Sequence, residues 1–309
     1  MTPPSLAVTL GSLALQNPVL LASGTAAYGR ELADVMDLEA LGGFVTKAVS
    51  LEPRAGAPAP RVADFDGGMI NAVGLANPGV DAVRAEDLPW IAAHVRRPKV
   101  LVNVVGKEAH EFGRVVERLD GAPGIHGYEL NVSCPNVKQG GLEFGADPEA
   151  LREVVAGARA ATRLPLFVKL SPTLPRVGEV AQRAVDAGAD GITVINTIPG
   201  LVVDVARRRP ALGFGSGGVS GPGLLAVGVL ATWRVRQAVA VPIIGAGGVQ
   251  HATDVLQFLI AGASAVAIGT AGLADPKLPV RVVRDLDRWC ARHAVSRLAD
   301  LIGTLEWPA

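Results

Sequence analysis

The chain has 309 residues, a length that a closed α/β barrel commonly occupies as one domain. Hydrophobic residues make up 49% and aromatic residues 4%, so the interior must consist mainly of aliphatic side chains, as in buried parallel strands. Lys and Arg together number 29, as do Asp and Glu, and no long run of one sign occurs. This balance argues against a nucleic-acid or membrane partner and favours small-molecule chemistry.

Two cysteines, Cys134 and Cys290, are too few for a disulfide framework or for a complete iron-sulfur site, and no metal site is expected. The first basic residue is Arg30, so the N-terminus lacks the positive segment of a secretory signal. Residues 210–233 carry no charge, but their first half is rich in Gly, Ser and Pro, which predicts a loop followed by a buried helix. These features predict a cytoplasmic protein.

Eight short apolar runs rich in Val and Ile, each followed by polar or small residues and then a helical stretch, predict an α/β fold of the (β/α)8 TIM-barrel type. The predicted strands are residues 19–22, 43–46, 100–104, 127–130, 166–169, 191–195, 242–245 and 265–268. A doubly wound open sheet would produce a similar pattern.

Helix signals accompany these strands. Asp147-Pro148-Glu149 predicts a helix start, while Gly188 and Gly262 predict two helix ends. No linker divides the chain, so residues 1–309 are expected to form a single domain. The longer stretches 50–93 and 197–223 are expected to be elaborated loops at the C-terminal face of the strands, where barrels hold their active sites.

Polar or small residues lie at the end of every predicted strand or just after it. In chain order they are Ser23, Gly24, Lys47, Asn103, Asn131, Cys134, Lys169, Asn196, Thr197, Gly247, Gly248, Gly269 and Thr270. Each alone has an ordinary explanation, since a single lysine is more often a solvated amine and a buried Asn often only holds a loop. Together they would be costly in an apolar barrel end unless a polar ligand satisfied them, so they predict a planar polar ligand.

Gly247-Gly248 and Gly269-Thr270 predict a phosphate site, with Gly221 as a further contributor. Small residues let backbone N–H groups approach an anion, and loops after the seventh and eighth barrel strands often do this. Tight turns alone would also explain these glycines. Residues 213–218 match the GxGxxG spacing, but they follow Arg-Arg-Arg-Pro instead of a strand, which argues against a Rossmann site.

Cys134 lies in Asn131-Val132-Ser133-Cys134-Pro135, after the fourth predicted strand. In this segment the chain resembles the dihydroorotate dehydrogenases, particularly their cysteine-based class 1. Further similar segments cover nearly the whole chain in order: residues 17–18, 22–25, 46–50, 71–75, 77–79, 196–197, 217–222 and the two late glycine motifs. Residues 136–141 and 50–54 look more like the NAD-linked class 1B catalytic subunit than the fumarate-using homodimers.

The resemblance implies oxidation of dihydroorotate to orotate in de novo pyrimidine (UMP) biosynthesis, with hydride transfer to FMN and Cys134 as the base. It implies FMN contacts from Ser23, Lys47, Ala48, Asn103, Asn131, Lys169, Ile195, Gly221, Gly247, Gly248, Gly269 and Thr270. It implies substrate contacts from Lys47, Asn71, Ala72, Val73, Gly74, Leu75, Asn131, Asn196 and Thr197. Residues 137–145 are expected to form a lid, and Cys290 is interpreted as a core residue.

The class 1B branch implies a homodimeric core that joins an electron-transfer subunit in a heterotetramer. That second subunit would carry FAD and an iron-sulfur cluster and pass electrons to NAD. One departure is Gly223-Leu224-Leu225, where the family often has a basic residue. The alternatives are a fumarate-using class 1A enzyme, a related flavin-dependent dihydropyrimidine oxidoreductase, a non-redox phosphate-binding barrel, and a non-catalytic scaffold.

Overall fold

A closed barrel of eight parallel strands forms the centre of the computed structural model, which describes residues 4–133, 135–136 and 142–308. The strands are β1 (Val19–Leu21), β2 (Gly43–Val45), β3 (Lys99–Val104), β4 (Gly127–Asn131), β5 (Leu166–Leu170), β6 (Gly191–Val194), β7 (Ile243–Ala246) and β8 (Ala265–Ile268). Each pairs with its neighbours in chain order, and β8 closes the barrel against β1. The TIM-barrel prediction is confirmed, and every strand boundary lies within one residue of its predicted position.

Helices connect the strands. They are α1 (Arg30–Ala33), α2 (Val80–Ala82), α3 (Leu88–His94), α4 (Ala109–Leu119), α5 (Pro148–Ala161), α6 (Val177–Asp186), α7 (Leu225–Ala238), α8 (Ala252–Ile260), α9 (Thr270–Ala274) and α10 (Leu278–Arg292). A π-helical turn, Val83–Asp87, joins α2 to α3, and short 3-10 turns cover Leu38–Ala40, Phe144–Ala146, Pro222–Leu224 and Leu298–Leu301.

The predicted helix signals are confirmed. Asp147 caps α5 by accepting hydrogen bonds from the N–H groups of Glu149 and Ala150 at 2.9 and 3.0 Å. Gly188 and Gly262 both adopt a positive φ, 112° and 114°, two residues beyond the ends of α6 and α8. In this left-handed conformation glycine is the favoured residue, and it turns the chain from the helix into the next strand.

Alternation along the strands separates two apolar layers. The barrel interior contains Leu20, Val45, Leu101, Phe167, Ile244, Ala246, Ala265 and Ala267, while the residues between them on each strand pack outward against the helices. A hairpin of Val8–Leu10 and Leu13–Leu15 packs its buried side chains onto the interior layer. Gly11 in its turn lies beside Pro242, which precedes β7, so the hairpin covers the N-terminal end of the barrel.

The two predicted loop stretches meet as one antiparallel sheet, which we call the cover sheet. Its strands, in spatial order, are Ile198–Gly200, Gly217–Ser220, Gly68–Asn71 and Val62–Phe65. These segments follow β6 and β2, so the cover sheet belongs to the C-terminal end of the barrel. The prediction that all of residues 50–93 form a loop is wrong in its last part, because helical structure begins at Val80.

Helix α7 corrects a second expectation. Residues 210–233 do consist of a loop followed by a helix, but the helix is not fully buried, since Val227 and Leu230 are 37% and 38% exposed. Its apolar residues lie all around the helix, so the sequence does not distinguish the core face from the solvent face. Trp233 on α7 stacks on Trp307 with ring centroids 3.9 Å apart.

None of the helices among the described residues combines the length and the apolar composition that a membrane-spanning segment requires.

The start of α8 provides a stability test. The buried Asp254 carboxylate accepts hydrogen bonds from the N–H groups of Gln250 and His251, both at 2.8 Å. Replacing Asp254 with Ala removes both acceptors, so we expect the free energy of unfolding to fall by about 2 kcal/mol. Urea unfolding measures this, with Glu117→Ala on the exposed face of α4 as the control, expected to change it by less than about 0.5 kcal/mol. Equal effects of the two variants would contradict this role of Asp254.

Candidate active site

Strand register places several polar side chains inside the C-terminal end of the barrel. Asn103 lies two residues beyond Leu101 on β3, and Lys169 lies two residues beyond Phe167 on β5, so both face the interior. Glu129 on β4 pairs with Asn103 on one side and Phe167 on the other, so it also faces inward. The barrel interior is therefore apolar at its N-terminal end and polar at its C-terminal end.

These interior side chains form one connected network of polar contacts. The Asn103 amide donates to Glu129 Oε1 at 2.7 Å, and the Lys169 ammonium lies 3.9 Å from the same oxygen. Lys169 Nζ also donates to the Ser23 hydroxyl at 3.0 Å. This network of polar contacts thus runs from β3 through β4 and β5 to Ser23, two residues beyond the end of β1.

A second polar group lies at the ends of β4 and β6. The Asn196 amide donates to Asn131 Oδ1 at 3.3 Å, and the N–H of Thr197 donates to Asn196 Oδ1 at 2.9 Å. Thr197 leads into the cover sheet, where its hydroxyl lies so close to Gly218 that a Cβ there would overlap it. The Asn71 amide donates to the Gly218 carbonyl at 3.2 Å. Three predicted substrate residues, Asn71, Asn196 and Thr197, are therefore joined through Gly218 and its neighbours.

Lys47 and Ala48 follow β2. The Lys47 N–H donates to the Ala27 carbonyl at 2.7 Å, while its half-buried ammonium makes no hydrogen bond or ion pair with another described residue. The Tyr28 hydroxyl donates to the Ala48 carbonyl at 3.2 Å. Burial, together with the negative charges of Asp87 and Glu31, raises the pKa of Tyr28 above its usual value, so this phenol keeps its proton at neutral pH.

The predicted phosphate glycines adopt conformations that bring backbone close to backbone. Gly221, Gly247 and Gly248 have φ values of 122°, 125° and 70°, and a Cβ on Gly248 would overlap the backbone nitrogen of Leu225. In the part of the chain that the structure describes, no hydrogen bond uses the N–H groups of Gly247, Gly248 or Gly269. The Ile195 N–H donates to Ala246, which ties the end of β6 to the end of β7.

Two buried side-chain atoms of the barrel interior have no partner among the described residues. Asn103 Oδ1 and Thr193 Oγ1 are both completely enclosed, and Thr193 is paired in register with Lys169. A buried polar atom without a partner is costly, so each is available to a polar ligand. No group of three or more His, Cys, Asp or Glu residues within the described ranges could hold a metal ion.

The predicted base and most of the predicted lid belong to residues that the structure does not describe. Cys134 and residues 137–141, which include most of the predicted lid, lie outside the described residues. Glu143, near the end of the predicted lid, is partly buried, and burial raises the pKa of its carboxyl despite a hydrogen bond with Ser171. Cys290 is fully buried in α10, as predicted.

The sequence does not predict the interior groups Glu129 and Thr193. Both lie inside apolar strands, whereas the predicted site residues lie at the strand ends or just after them. An acidic residue between Tyr128 and Leu130, in an otherwise apolar strand, is the signal that would have pointed to Glu129.

The family model described as "Dihydroorotate dehydrogenase" matches residues 5–289 of this chain. The chain belongs to the dihydroorotate dehydrogenase family. Among its relatives is the dihydroorotate dehydrogenase B (NAD(+)) catalytic subunit of Pelobacter propionicus, 48% identical over 98% of this chain and 99% of the relative. The protein of the same name from Geotalea daltonii is 45% identical over 99% of this chain and 100% of the relative.

A solved structure supports the fold. The crystal structure of DHODH from Eimeria tenella in complex with ferulenol matches with a TM-score of 0.82 over 97% of this chain and 88% of that chain, at 24% identity.

Membership of the dihydroorotate dehydrogenase family implies a flavin cofactor. The described residues fit such a group. Asn103 Oδ1 is an unused buried acceptor, Lys169 is a buried cation, and the glycines after β7 and β8 offer unused N–H donors. A heteroaromatic ring with an attached phosphate matches this combination of acceptor, cation and N–H donors.

The glycine turn after β7 generates a test. Gly248→Ala adds a methyl group at a positive φ and against the Leu225 backbone, so we expect flavin affinity to fall at least about tenfold, a loss of about 1.4 kcal/mol. Titration of the apoprotein with FMN, followed by fluorescence, measures the change. Gly223→Ala, where an added Cβ meets nothing within 4 Å, is the matched control and should bind flavin normally. Normal binding by Gly248→Ala would exclude this turn from the cofactor site.

Proposed function

We propose that this chain is the catalytic subunit of an NAD-linked dihydroorotate dehydrogenase, which oxidises dihydroorotate to orotate. The observation that carries the proposal is the convergence of polar side chains at one end of the barrel, in a chain of this family. Those on β3, β4 and β5 are buried, and those that follow β1 and β6 are partly buried. The names of the relatives, which specify the NAD(+)-linked B enzyme, favour this assignment over a fumarate-using enzyme.

FMN is the cofactor that we propose, and it would supply the hydride acceptor. Ser23, Asn103, Lys169 and Gly248 would hold its ring and phosphate, together with Lys47, Ala48, Asn131, Ile195, Gly221, Gly247, Gly269 and Thr270. The proposal of a phosphate group is supported by the unused N–H donors of the two glycine motifs. A non-redox phosphate-binding barrel would leave the buried Lys169 and the unpaired Asn103 oxygen unexplained.

The substrate would bind between the flavin and the cover sheet. Dihydroorotate has a cyclic imide edge whose N–H and C=O groups match the amides of Asn71, Asn131 and Asn196. Thr197 and residues 72–75 would complete the contacts. Because Leu75 and Gly74 both adopt a positive φ, of 56° and 71°, this segment makes a sharp turn beside Asn71. The unpaired ammonium of Lys47 would balance the carboxylate of the substrate.

Cys134 is the proposed base. Oxidation removes a proton from C5 and a hydride from C6, so a base and a hydride acceptor are both required. The thiolate would take the C5 proton, and the double bond of orotate would form as the hydride leaves C6. The described residues before it, Val132 and Ser133, form a turn directly after β4, at the C-terminal end of the barrel.

The electron acceptor is proposed to be NAD, reached through a separate subunit. An electron-transfer subunit carrying FAD and an iron-sulfur cluster would join a homodimer of this chain in a heterotetramer, as the resemblance implies. The name "catalytic subunit" of the relatives supports the existence of a second component. A single-domain organisation and a cytoplasmic location stay predictions of the sequence.

The base is tested by Cys134→Ala. We expect FMN to stay bound and its reduction by dihydroorotate to slow by about a hundredfold or more, because a positioned base contributes at least that much. Anaerobic stopped-flow mixing, followed by the loss of flavin absorbance, measures the rate. Cys290→Ala removes the other thiol from a buried position in α10 and should leave the rate unchanged. Equal rates in wild type and Cys134→Ala would contradict the assignment.

The pH dependence gives an additional readout of the same prediction. A free thiol has a pKa of about 8.5, so the thiolate fraction grows as pH rises toward that value. The reduction rate of the wild type should therefore increase with pH, whereas the residual rate of Cys134→Ala should lose this dependence.

The acceptor is tested by reoxidation. After anaerobic reduction by dihydroorotate, NAD should restore the flavin absorbance only when the electron-transfer subunit of a relative or of the same genome is added. This outcome is expected because the described residues offer no Rossmann site for NAD. If NAD alone rapidly reoxidised the flavin of the isolated chain, or if fumarate did so, that result would contradict the NAD-linked assignment.

A further inference from the structure

Glu129 is a charged residue that the proposed mechanism does not use. It is 1% exposed and faces the barrel interior, in register with Asn103 and Phe167. A buried carboxylate is costly unless it is paired with a cation and hydrogen-bonded. Its position therefore calls for a physical explanation.

The side chains that contact Glu129 are Asn103 and Lys169. One carboxylate oxygen accepts a hydrogen bond from Asn103 at 2.7 Å, which fixes the direction of the side chain from β3. The same oxygen lies 3.9 Å from Lys169 Nζ, the only basic group within ion-pair distance of Glu129 among the described residues. Lys169 is itself 6% exposed, so each charge depends on the other in a region with little water.

The ammonium of Lys169 and the carboxylate of Glu129 are not in direct hydrogen-bond contact. A charge-assisted hydrogen bond between an ammonium and a carboxylate is about 2.8 Å long, clearly shorter than the observed separation. Lys169 instead donates its short hydrogen bond to Ser23, at 3.0 Å. An ammonium has three N–H donors, so it keeps donors free while the carboxylate attracts it from one side and the hydroxyl from another.

We propose that Glu129 is a positioning residue: its carboxylate holds the Lys169 ammonium at the C-terminal end of the barrel and thereby sets the midpoint potential of the bound flavin. This inference rests on the proposed FMN site. Reduction adds negative charge to the cofactor, and a fixed cation beside it favours the reduced form. Lys169 is the group that contacts the cofactor, and Glu129 acts through Lys169.

The principal experiment measures the midpoint potential of FMN bound to the full chain, with reference dyes and without dihydroorotate. In Glu129→Gln, loss of the counter-ion should let the Lys169 ammonium leave its position. We expect the ratio of the affinities for reduced and oxidised FMN to fall at least about tenfold, which lowers the potential by about 30 mV for a two-electron couple. Glu117→Gln is the matched control: it neutralises an exposed carboxylate on α4 and should leave the midpoint potential unchanged.

A double-mutant comparison separates positioning from a simple charge effect. Lys169→Met should lower the potential in the wild-type background, but it should have little further effect in the Glu129→Gln background, because the ammonium has already lost its position. If Glu129 were only a nearby negative charge, Glu129→Gln would raise the potential and the two effects would add. Either a raised or an unchanged potential in Glu129→Gln would overturn the proposal.

A second variant covers the case in which Glu129→Gln does not fold. Glu129→Asp keeps the negative charge but moves the carboxylate away from Lys169 by the length of one methylene group. We therefore expect the midpoint potential to fall less than in Glu129→Gln. An unchanged potential in that variant would also overturn the proposal. These results are distinguishable from failure of the proposed function, because a wild-type chain that binds no FMN, or whose FMN is not reduced by dihydroorotate, would show this before any variant is compared.

Discussion

The closed register of eight parallel strands is the constraint on which the candidate site depends. In a closed barrel every strand has two neighbours, so a side chain either faces the interior or packs against the helices. Leu101 and Phe167 face inward, and therefore Asn103 and Lys169, two residues further along, must also face inward. Polar residues that are far apart in the sequence are thus brought together without any long polar loop.

The same constraint gives the two ends of the barrel interior different roles, because one end stabilises the fold and the other carries the polar groups of the candidate site. Aliphatic side chains and the N-terminal hairpin fill the interior at one end, which removes apolar surface from water. At the other end, Asn103, Glu129 and Lys169 occupy positions where apolar packing would be more stable. The structure offsets the cost of burying these groups by pairing them with one another, and leaves a few atoms unpaired where a ligand is expected.

The sequence predicted the barrel well because each strand is a local apolar run with its own turn and helix signals. It also correctly placed Lys47, Asn196 and Gly248 after strands, while their roles at the site stay predictions. It did not predict that residues 198–200 and 217–220 pair with residues 68–71, because register between distant segments depends on the whole fold. Glu129 was missed because it lies inside an apolar run, and the exposed face of α7 was missed because that helix has apolar residues on all sides.

The cover sheet has a consequence for how the protein is made. Met69 pairs with Ser220, so the first half of the sheet emerges from the ribosome about 150 residues before its partner, and β1 must likewise wait for β8. Contacts of such large sequence separation form late in folding, because the entropy of closing the intervening chain opposes them. Nascent chains that end before Ser220 therefore lack both the complete cover sheet and the closed barrel, so the candidate site is assembled only after nearly all of the chain has been synthesised.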